Sequence, residues 1–183
     1  MSEPLPEELA AALRTTASRR GVFGDPVYYF SETGSTNDVA ATLAEHGAPE
    51  GTTVVASAQS SGRGRFGRAW FSPPGAGLYV SVVCRNAAAA PLLTLAGGVA
   101  VAEGVRTATG LPVEIKWPND IVAEGGAQAR RRKLAGILAE ASTGSDGLQY
   151  VILGFGINLR SAAYPPAIAD RATSIEAELG RSP

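Results

Sequence analysis

The chain has 183 residues, a length typical of one domain whose core needs no disulfide or metal for stability. Its 16 basic and 17 acidic residues leave a formal net charge of −1, which argues against a protein that coats nucleic acid through overall positive charge. A hydrophobic content of 45% indicates a globular chain. The single cysteine, Cys84, excludes an internal disulfide, and the single histidine, His46, argues against a histidine-rich zinc site and against Ser-His-Asp catalysis.

Neither a targeting signal nor a membrane span is predicted. No basic stretch leads into an apolar run at the N-terminus, so a secretory signal is not expected. The most apolar segment, 87–105, is interrupted by Pro91, Gly97, Gly98 and Glu103. We therefore expect a cytoplasmic protein with no membrane partner.

The first half of the chain mixes helices and strands. Leu9 and Leu13 at helical spacing predict an opening helix, and Ser35 is placed to cap a later one. Aromatic or β-branched runs predict the strands. In chain order the predicted elements are a helix at 6–20, a strand at 27–30, a helix at 36–45, a strand at 53–58, a glycine- and arginine-bearing loop at 60–77, a strand at 78–83 and a helix at 91–109.

The second half is predicted to be richer in strands. A rigid turn at 117–120 separates two short strands, and a solvated hairpin tip is expected at 125–132. Hairpin-length links among about seven strands favour an α+β fold on a mixed, largely antiparallel sheet over a regular βαβ repeat. The predicted elements are strands at 113–116, 121–122, 134–141 and 150–157, and a last helical turn at 174–179.

The segment 62–67 has the glycine spacing of a dinucleotide-binding loop. That interpretation requires a helix directly afterwards, because the helix N-terminus supplies donors for the pyrophosphate. The Pro73-Pro74 pair that follows cannot sustain one, and no acidic residue stands near 82–86 to hold a ribose. The sequence therefore does not predict a dinucleotide site here.

Charge in the same loop is more informative. Arg63, Arg65 and Arg68 lie in a stretch, 59–71, that contains no acidic residue. Such close guanidinium groups need surrounding water or a bound anion, and their forks match carboxylate and phosphate oxygens. A solvated loop and an anion-binding loop both remain open. The adjacent Trp70-Phe71 pair favours the second, since aromatic side chains usually pack on something, and the even overall charge counts against a nucleic-acid clamp.

Three further segments carry weaker signals. Lys116 ends an apolar strand, where it either pairs with Glu114 at a sheet edge or offers a point charge to an anion. Lys133 opens a buried strand that contains Gly136, and a glycine inside a strand often marks the close approach of a ligand. The same signal recurs in 154–158, which ends in an amide that could contact a base edge.

Six ordered blocks together form a recognisable pattern. From about residue 27 to residue 159 the sequence resembles the catalytic domain of biotin protein ligases, and the arginine–glycine loop and the 116–120 block are its most specific motifs. The resemblance implies that family's fold, which is similar to that of lipoate ligases and of class II aminoacyl-tRNA synthetases. The blocks are 34–37, Gln59 with 62–70, 77–81, 116–120, 133–140 and 154–159.

The resemblance also implies a two-step reaction with ATP, biotin and Mg²⁺. The carboxylate of biotin would attack the α-phosphate of ATP to give biotinyl-5′-adenylate and pyrophosphate. A lysine of a biotin carboxyl carrier domain would then take the biotinyl group and release AMP. Two anions meet in the first step, so fixed positive charge is required. The resemblance assigns this catalytic charge to Lys116, Arg63, Arg65 and Arg68.

Binding roles are carried over residue by residue. No metal ligand is assigned, and Asp120 is either a base for the incoming amine or a structural residue of its turn. The biotin-binding set is Ser35, Thr36, Asn37, Gln59, Arg63, Gly64, Arg65, Lys116, Gly136 and Leu138. The ATP- and adenylate-binding set is Arg63, Arg65, Arg68, Trp70, Lys116, Lys133 and Asn158.

We expect a single catalytic domain over 1–183, with its N-terminal helix in 1–25. Only 34 residues precede Ser35, too few for the winged helix-turn-helix of DNA-binding family members, so no nucleic-acid partner is expected. Segment 160–183 resembles the truncated start of the C-terminal region, and the family's C-terminal β-barrel would be absent. A homodimer remains open, because relatives often dimerise.

Two alternatives also remain open. A lipoate–protein ligase shares the fold and the adenylation chemistry, although its dithiolane substrate would have no use for Ser35, Thr36, Asn37 and Gln59 as contacts to a urea ring. A non-catalytic biotin- or nucleotide-binding module would follow if the missing C-terminal region left the chain inactive. Phe66 stands where relatives often carry a basic residue, and we expect little consequence.

Overall fold

A single sheet of seven strands organises the computed structural model, which describes residues 2–123, 131–145 and 147–182. The strands are β1 Val27–Phe30, β2 Thr53–Ala56, β3 Gly77–Cys84, β4 Val113–Lys116, β5 Asp120–Ala123, β6 Arg132–Gly144 and β7 Gly147–Asn158. Their order is β1-β2-β3-β7-β6-β5-β4. Only β1 and β2 pair in parallel. The predicted mixed, largely antiparallel sheet is confirmed.

Helices lie close to their predicted positions. The predicted opening helix is two helices, because Thr16 leaves the helical conformation with φ −100° and ψ 2°. The predicted helix at 91–109 starts later, after a 3₁₀ turn that contains Pro91. The helices are α1 Glu7–Thr15, α2 Ala17–Arg20, α3 Thr36–Glu45, α4 Leu93–Thr109, α5 Pro166–Ala169 and α6 Ile175–Leu179, with 3₁₀ turns at Arg65–Gly67 and Ala87–Leu92.

The sheet separates two apolar layers. Helix α3 packs on one face, where Ala40 contacts the cluster that contains Val83 and Ile152. Helix α4 packs on the other face, where Val101 lies in a cluster with Ile137. This division follows from the strand geometry, because successive side chains point to opposite faces of a sheet. The α3 face carries the candidate site described below.

One helical stretch in the described residues, Ala88–Thr109, has the length and apolar composition of a membrane span. Gly97 and Gly98 interrupt the apolar run in the sequence but not the helix, which continues through both as predicted. A Cβ at Gly97 would lie 3.1 Å from Leu153 Cδ1, so a glycine there permits close packing of α4 on the sheet. Core helices of soluble proteins share these features, and one such helix is weak support for a membrane location.

Residues 124–130, most of the predicted hairpin tip, lie outside the described residues. The sequence analysis expected a solvated tip, but the two arginines next to this segment form ion pairs. Arg131 pairs with Glu114 at 2.9 Å, and Arg132 pairs with Glu178 at 2.8 Å. Glu114 therefore has a partner other than Lys116, which counts against the first of the two alternatives given for Lys116, a pair with Glu114.

Candidate functional site

An open cleft lies where the N-terminus of α3 faces β6 and β7. Glycines form its floor, since Gly136 of β6 pairs directly with Gly156 of β7 and Gly154 follows on the same face. The lining residues are Ser35, Thr36, Asn37, Gln59, Arg63, Gly64, Arg65, Trp70, Asn119, Lys133, Gly136, Ile137, Leu138, Gly154, Phe155 and Gly156.

The cleft brings together all but three of the predicted site residues. Lys116 is exposed at the end of β4, and within the described part of the chain its side chain has no hydrogen bond or ion pair. Arg68 is also exposed. Asn158 is buried and donates from Nδ2 to the Thr173 carbonyl at 2.8 Å, so its amide holds a neighbouring segment.

Hydrogen bonds hold the polar side chains at the α3 end of the cleft. The Thr36 backbone N–H donates to Gln59 Oε1 at 2.9 Å, and the Thr36 hydroxyl lies 3.1 Å from the same oxygen. Gln59 Nε2 donates to Ser72 Oγ at 2.9 Å. Ser35 precedes α3 as predicted, but its side chain makes no capping hydrogen bond and instead lines the cleft.

The same chain of hydrogen bonds continues through residues that the sequence analysis left without a role. Ser81 Oγ lies 2.8 Å from Thr36 Oγ1 and 2.5 Å from Asn37 Oδ1. Asn37 Nδ2 donates to Glu140 Oε2 at 2.6 Å. A Cβ at Gly154 would overlap Asn37 Oδ1, so only a glycine leaves room for this amide.

A sequence signal for these residues existed in the strand periodicity. Glu140 is two and four residues beyond Leu138 and Gly136, which places all three on the face of β6 that lines the cleft. Ser81 is fully buried in β3, between Val80 and Val82. A polar side chain on a buried strand requires a partner, which points to such a network.

The glycine–arginine loop folds into a tight turn beside the cleft. Gly64 N–H donates to the Arg68 carbonyl at 2.7 Å, and Trp70 N–H donates to the Gly62 carbonyl at 2.8 Å. Phe66 at the tip has φ 58° and is 83% exposed. The predicted loop at 60–77 therefore contains a defined turn.

Acidic partners for Arg63 come from other elements. Its guanidinium pairs with Asp38 of α3 at 2.8 Å and with Glu140 of β6 at 2.7 Å. Arg65 Nη1 donates to Asn119 Oδ1 at 3.2 Å. The expectation that only water or a bound anion would accompany these arginines was therefore wrong for Arg63, because the composition of the loop itself carries no information about distant carboxylates.

An aromatic ring covers the glycine floor. A Cβ at Gly136 would lie 2.9 Å from Trp70 Cζ3, and one at Gly156 would overlap the indole nitrogen. Lys133 Nζ lies 5.0 Å from the Trp70 ring centre and pairs with Asp120 at 2.6 Å, which supports the structural interpretation of Asp120. Within the described residues Trp70 Nε1 is buried without a hydrogen-bond partner.

The groups most often used for nucleophilic or metal chemistry lie elsewhere. Burial raises the pKa of the Cys84 thiol to about 11, with nearby Glu50 adding to the effect, so the thiol stays protonated. His46 is exposed at the end of α3, with Nδ1 2.7 Å from the Thr42 carbonyl. Among residues 2–123, 131–145 and 147–182, no three His, Cys, Asp or Glu side chains group as metal ligands.

Comparison with known proteins places this cleft in a family. Residues 29–158 match the model of the biotin/lipoate A/B protein ligase family. The "Bifunctional ligase/repressor BirA" of Bacillus spizizenii is 40% identical over 164 residues, which cover 87% of this chain and 49% of the relative. The "Biotin--[acetyl-CoA-carboxylase] ligase" of Mycobacterium tuberculosis is 37% identical over 153 residues, 79% of this chain and 53% of the relative.

A solved structure extends the similarity to three dimensions. The biotin protein ligase from Aquifex aeolicus in complex with biotin and ATP superposes with a TM-score of 0.69 at 32% identity. The match covers 85% of this chain and 62% of that one. The chain thus spans about half the length of the two curated relatives and under two thirds of the solved structure.

Proposed function

The chain belongs to the biotin/lipoate A/B protein ligase family, and on that premise we propose that it joins biotin to a carrier-protein lysine at the expense of ATP. One observation carries the proposal: a single cleft contains both a wall of fixed hydrogen-bonding groups and two loop arginines, Arg63 and Arg65. Such a site suits a ligand with a polar neutral ring at one end and an anion at the other.

The ring end of the ligand would be a cyclic urea. In this proposal Ser35, Thr36, Asn37 and Gln59 contact the urea of biotin. Gly136 and Leu138 form part of the floor of the biotin pocket, where Trp70 packs on Gly136 in this structure. A urea has one acceptor oxygen and two N–H donors, so it matches a wall that offers both kinds of group. The relatives named as biotin ligases support this substrate over lipoate.

The carboxylate end of the ligand would lie next to ATP. A carboxylate oxygen of biotin attacks the α-phosphorus of ATP, a new P–O bond forms, and the bond to the pyrophosphate oxygen breaks. Arg63, Arg65, Arg68 and Lys116 would offset the charge that gathers around the phosphorus. Lys133, Trp70 and Asn158 would lie toward the nucleotide, and the Trp70 indole N–H, which lacks a partner in the described residues, is a donor that an acceptor atom of the ligand could use.

The second step would transfer the biotinyl group. The amine of a lysine on a biotin carboxyl carrier domain attacks the acyl carbon, a C–N bond forms, the C–O bond to AMP breaks, and the amine loses a proton. Magnesium would enter with the ATP phosphates, because Mg²⁺ at nucleotide sites is held largely by the substrate phosphates and by water. We propose a soluble, cytoplasmic enzyme, and a homodimer is compatible with the proposal.

The glycine–arginine loop would also protect the intermediate. A mixed carboxylic–phosphoric anhydride hydrolyses when water reaches it, so the loop must stay in place between the two steps. Arg65→Gly removes the side chain that joins the loop to Asn119. We expect this variant to release biotinyl-adenylate and to biotinylate bystander lysines, measured by avidin blotting of an added non-carrier protein. Labelling no greater than that by the parent would contradict this role of the loop.

Biotin-dependent exchange of radiolabelled pyrophosphate into ATP tests the proposed function. The exchange requires reversible adenylate formation, so we expect it with biotin and ATP together and only background without biotin. Exchange with lipoate in place of biotin would favour the lipoate ligase alternative. Biotin binding by calorimetry without any exchange would instead identify a non-catalytic binding module.

A further inference from the structure

The hydrogen-bond chain at the α3 end of the cleft contains groups that can face either way. A hydroxyl such as Ser81 Oγ can donate or accept, and an amide such as that of Asn37 can rotate to exchange its donor and acceptor ends. Groups of this kind take their direction from neighbours that can only donate or only accept. Those neighbours therefore decide which groups in the whole hydrogen-bond network donate and which accept.

Two such neighbours fix the direction of this hydrogen-bond network, one near each of its ends. The Thr36 backbone N–H only donates, so it holds Gln59 Oε1 toward α3 at 2.9 Å. The Glu140 carboxylate only accepts, so it takes Asn37 Nδ2 at 2.6 Å and leaves Asn37 Oδ1 facing Ser81 at 2.5 Å. Without Glu140 the Asn37 amide could reverse, because the Ser81 hydroxyl satisfies either end.

We propose that Glu140 is a positioning residue that sets the hydrogen-bond direction of Asn37 and so selects a ligand ring by its pattern of donors and acceptors. The inference rests on the proposed function, in which Asn37 contacts the urea of biotin. Glu140 acts through Asn37 and not on the ligand directly. Cleft side chains whose donors and acceptors are fixed discriminate strongly between rings that have the same shape but a different hydrogen-bonding pattern. The wrong ring leaves buried polar groups unpaired.

Glu140 has a second contact that the experiment must separate from the first. The same Oε2 atom lies 2.7 Å from Arg63, and Arg63 also pairs with Asp38 at 2.8 Å. In the part of the chain that the structure describes, the Asp38 side chain has no hydrogen bond to Asn37. Asp38→Asn is therefore a matched control, because it weakens a carboxylate partner of Arg63 and leaves the Asn37 amide held by Glu140.

Binding of two ligands of equal shape tests the proposal. Calorimetry gives the Kd of biotin and of 2-iminobiotin, whose protonated cyclic guanidine offers donors where the urea offers an oxygen. The ratio of the two constants is the readout, because a folding defect lowers the active fraction without changing that ratio. In Glu140→Leu we expect the preference for biotin to fall at least about tenfold.

The control variants should keep the parent's preference within about threefold. Glu140→Gln retains an oxygen that can accept from Asn37, and the neighbouring Arg63 guanidinium, which only donates, would keep that oxygen and not the NH₂ group in place. Asp38→Asn leaves the contact between Glu140 and Asn37 untouched. Glu140→Thr, whose side chain is too short to reach Asn37 but suits a strand, should behave as the leucine variant does. It provides the same measurement if Glu140→Leu does not fold.

Two results would overturn the role of Glu140. One is an unchanged preference in Glu140→Leu and Glu140→Thr. The other is an equal loss in Asp38→Asn, which would mean that Glu140 acts through Arg63. Either result, obtained with a parent protein that binds biotin, leaves the proposed function intact. A parent that binds neither ligand would instead refute the proposed function and, with it, this inference.

Discussion

Gly154→Ala should reduce the affinity for biotin at least about 100-fold. The added methyl group would overlap Asn37 Oδ1, so the amide must leave its position between Ser81 and Glu140. Its displacement breaks the contacts of the buried Asn37 amide with Ser81 and Glu140. Forcing a methyl group into a packed site also lowers the free energy of unfolding by about 1–3 kcal/mol. Calorimetric titration with biotin and chemical denaturation measure the two effects.

A matched control adds the same methyl group where there is room for it. Gly104 lies in α4, away from the cleft, and apart from its chain neighbours and the backbone of its own helix no atom lies within 4 Å of a Cβ built there. Gly104→Ala should bind biotin as the parent does and gain about 0.5–1 kcal/mol of stability from helix propensity. Binding by Gly154→Ala within about threefold of the parent would show that the Asn37 amide is not required in its observed position.

Lys116→Gln should reduce biotin-dependent pyrophosphate exchange about 100- to 1,000-fold. The proposed role of Lys116 is to stabilise negative charge on the carboxylate and phosphoryl oxygens, and a neutral amide of similar length cannot do so. The side chain is exposed at the end of β4, next to the turn whose Asn119 lines the cleft. The loss should therefore lie in the exchange rate, with the free energy of unfolding nearly unchanged.

Arg131→Gln separates this local effect from a general loss of positive charge. Arg131 pairs with Glu114 on the same strand as Lys116, and its side chain is exposed. Its replacement removes one positive charge near β4 without touching a proposed site residue, so exchange should stay within about twofold of the parent. An equal loss in both variants would assign the effect to long-range electrostatics, and a Lys116→Gln variant with the parent's rate would remove Lys116 from the chemistry.

Local patterns were sufficient to predict most elements of the fold. Helix α3 has the bounds that the sequence predicted, and the last helical turn begins after Ser174, whose side chain accepts from the Ala177 N–H as a cap does. The number of strands and the largely antiparallel pairing were also predicted correctly. These features depend on spacing, capping residues and short links, which are all properties of neighbouring residues.

Prediction of the site was less complete where contacts join distant parts of the chain. The sequence identified Asn37 and Arg63 but not Glu140, which lies 103 residues from one and 77 from the other. It also did not predict that the Asn158 amide donates to the Thr173 carbonyl, 15 residues further along the chain. Neither contact has a local signature, because each depends on which strands become neighbours.

By itself, the sequence of this protein determined its helices, its strands and the set of polar and cationic side chains available to a ligand. Only the tertiary structure decided how those side chains are used. The sheet order places β3, β7 and β6 side by side beneath the start of α3, so that Ser81 and Glu140 meet Asn37 over Gly154. Hydrogen bonds and ion pairs act over a few ångströms, and folding alone decides which distant residues come that close.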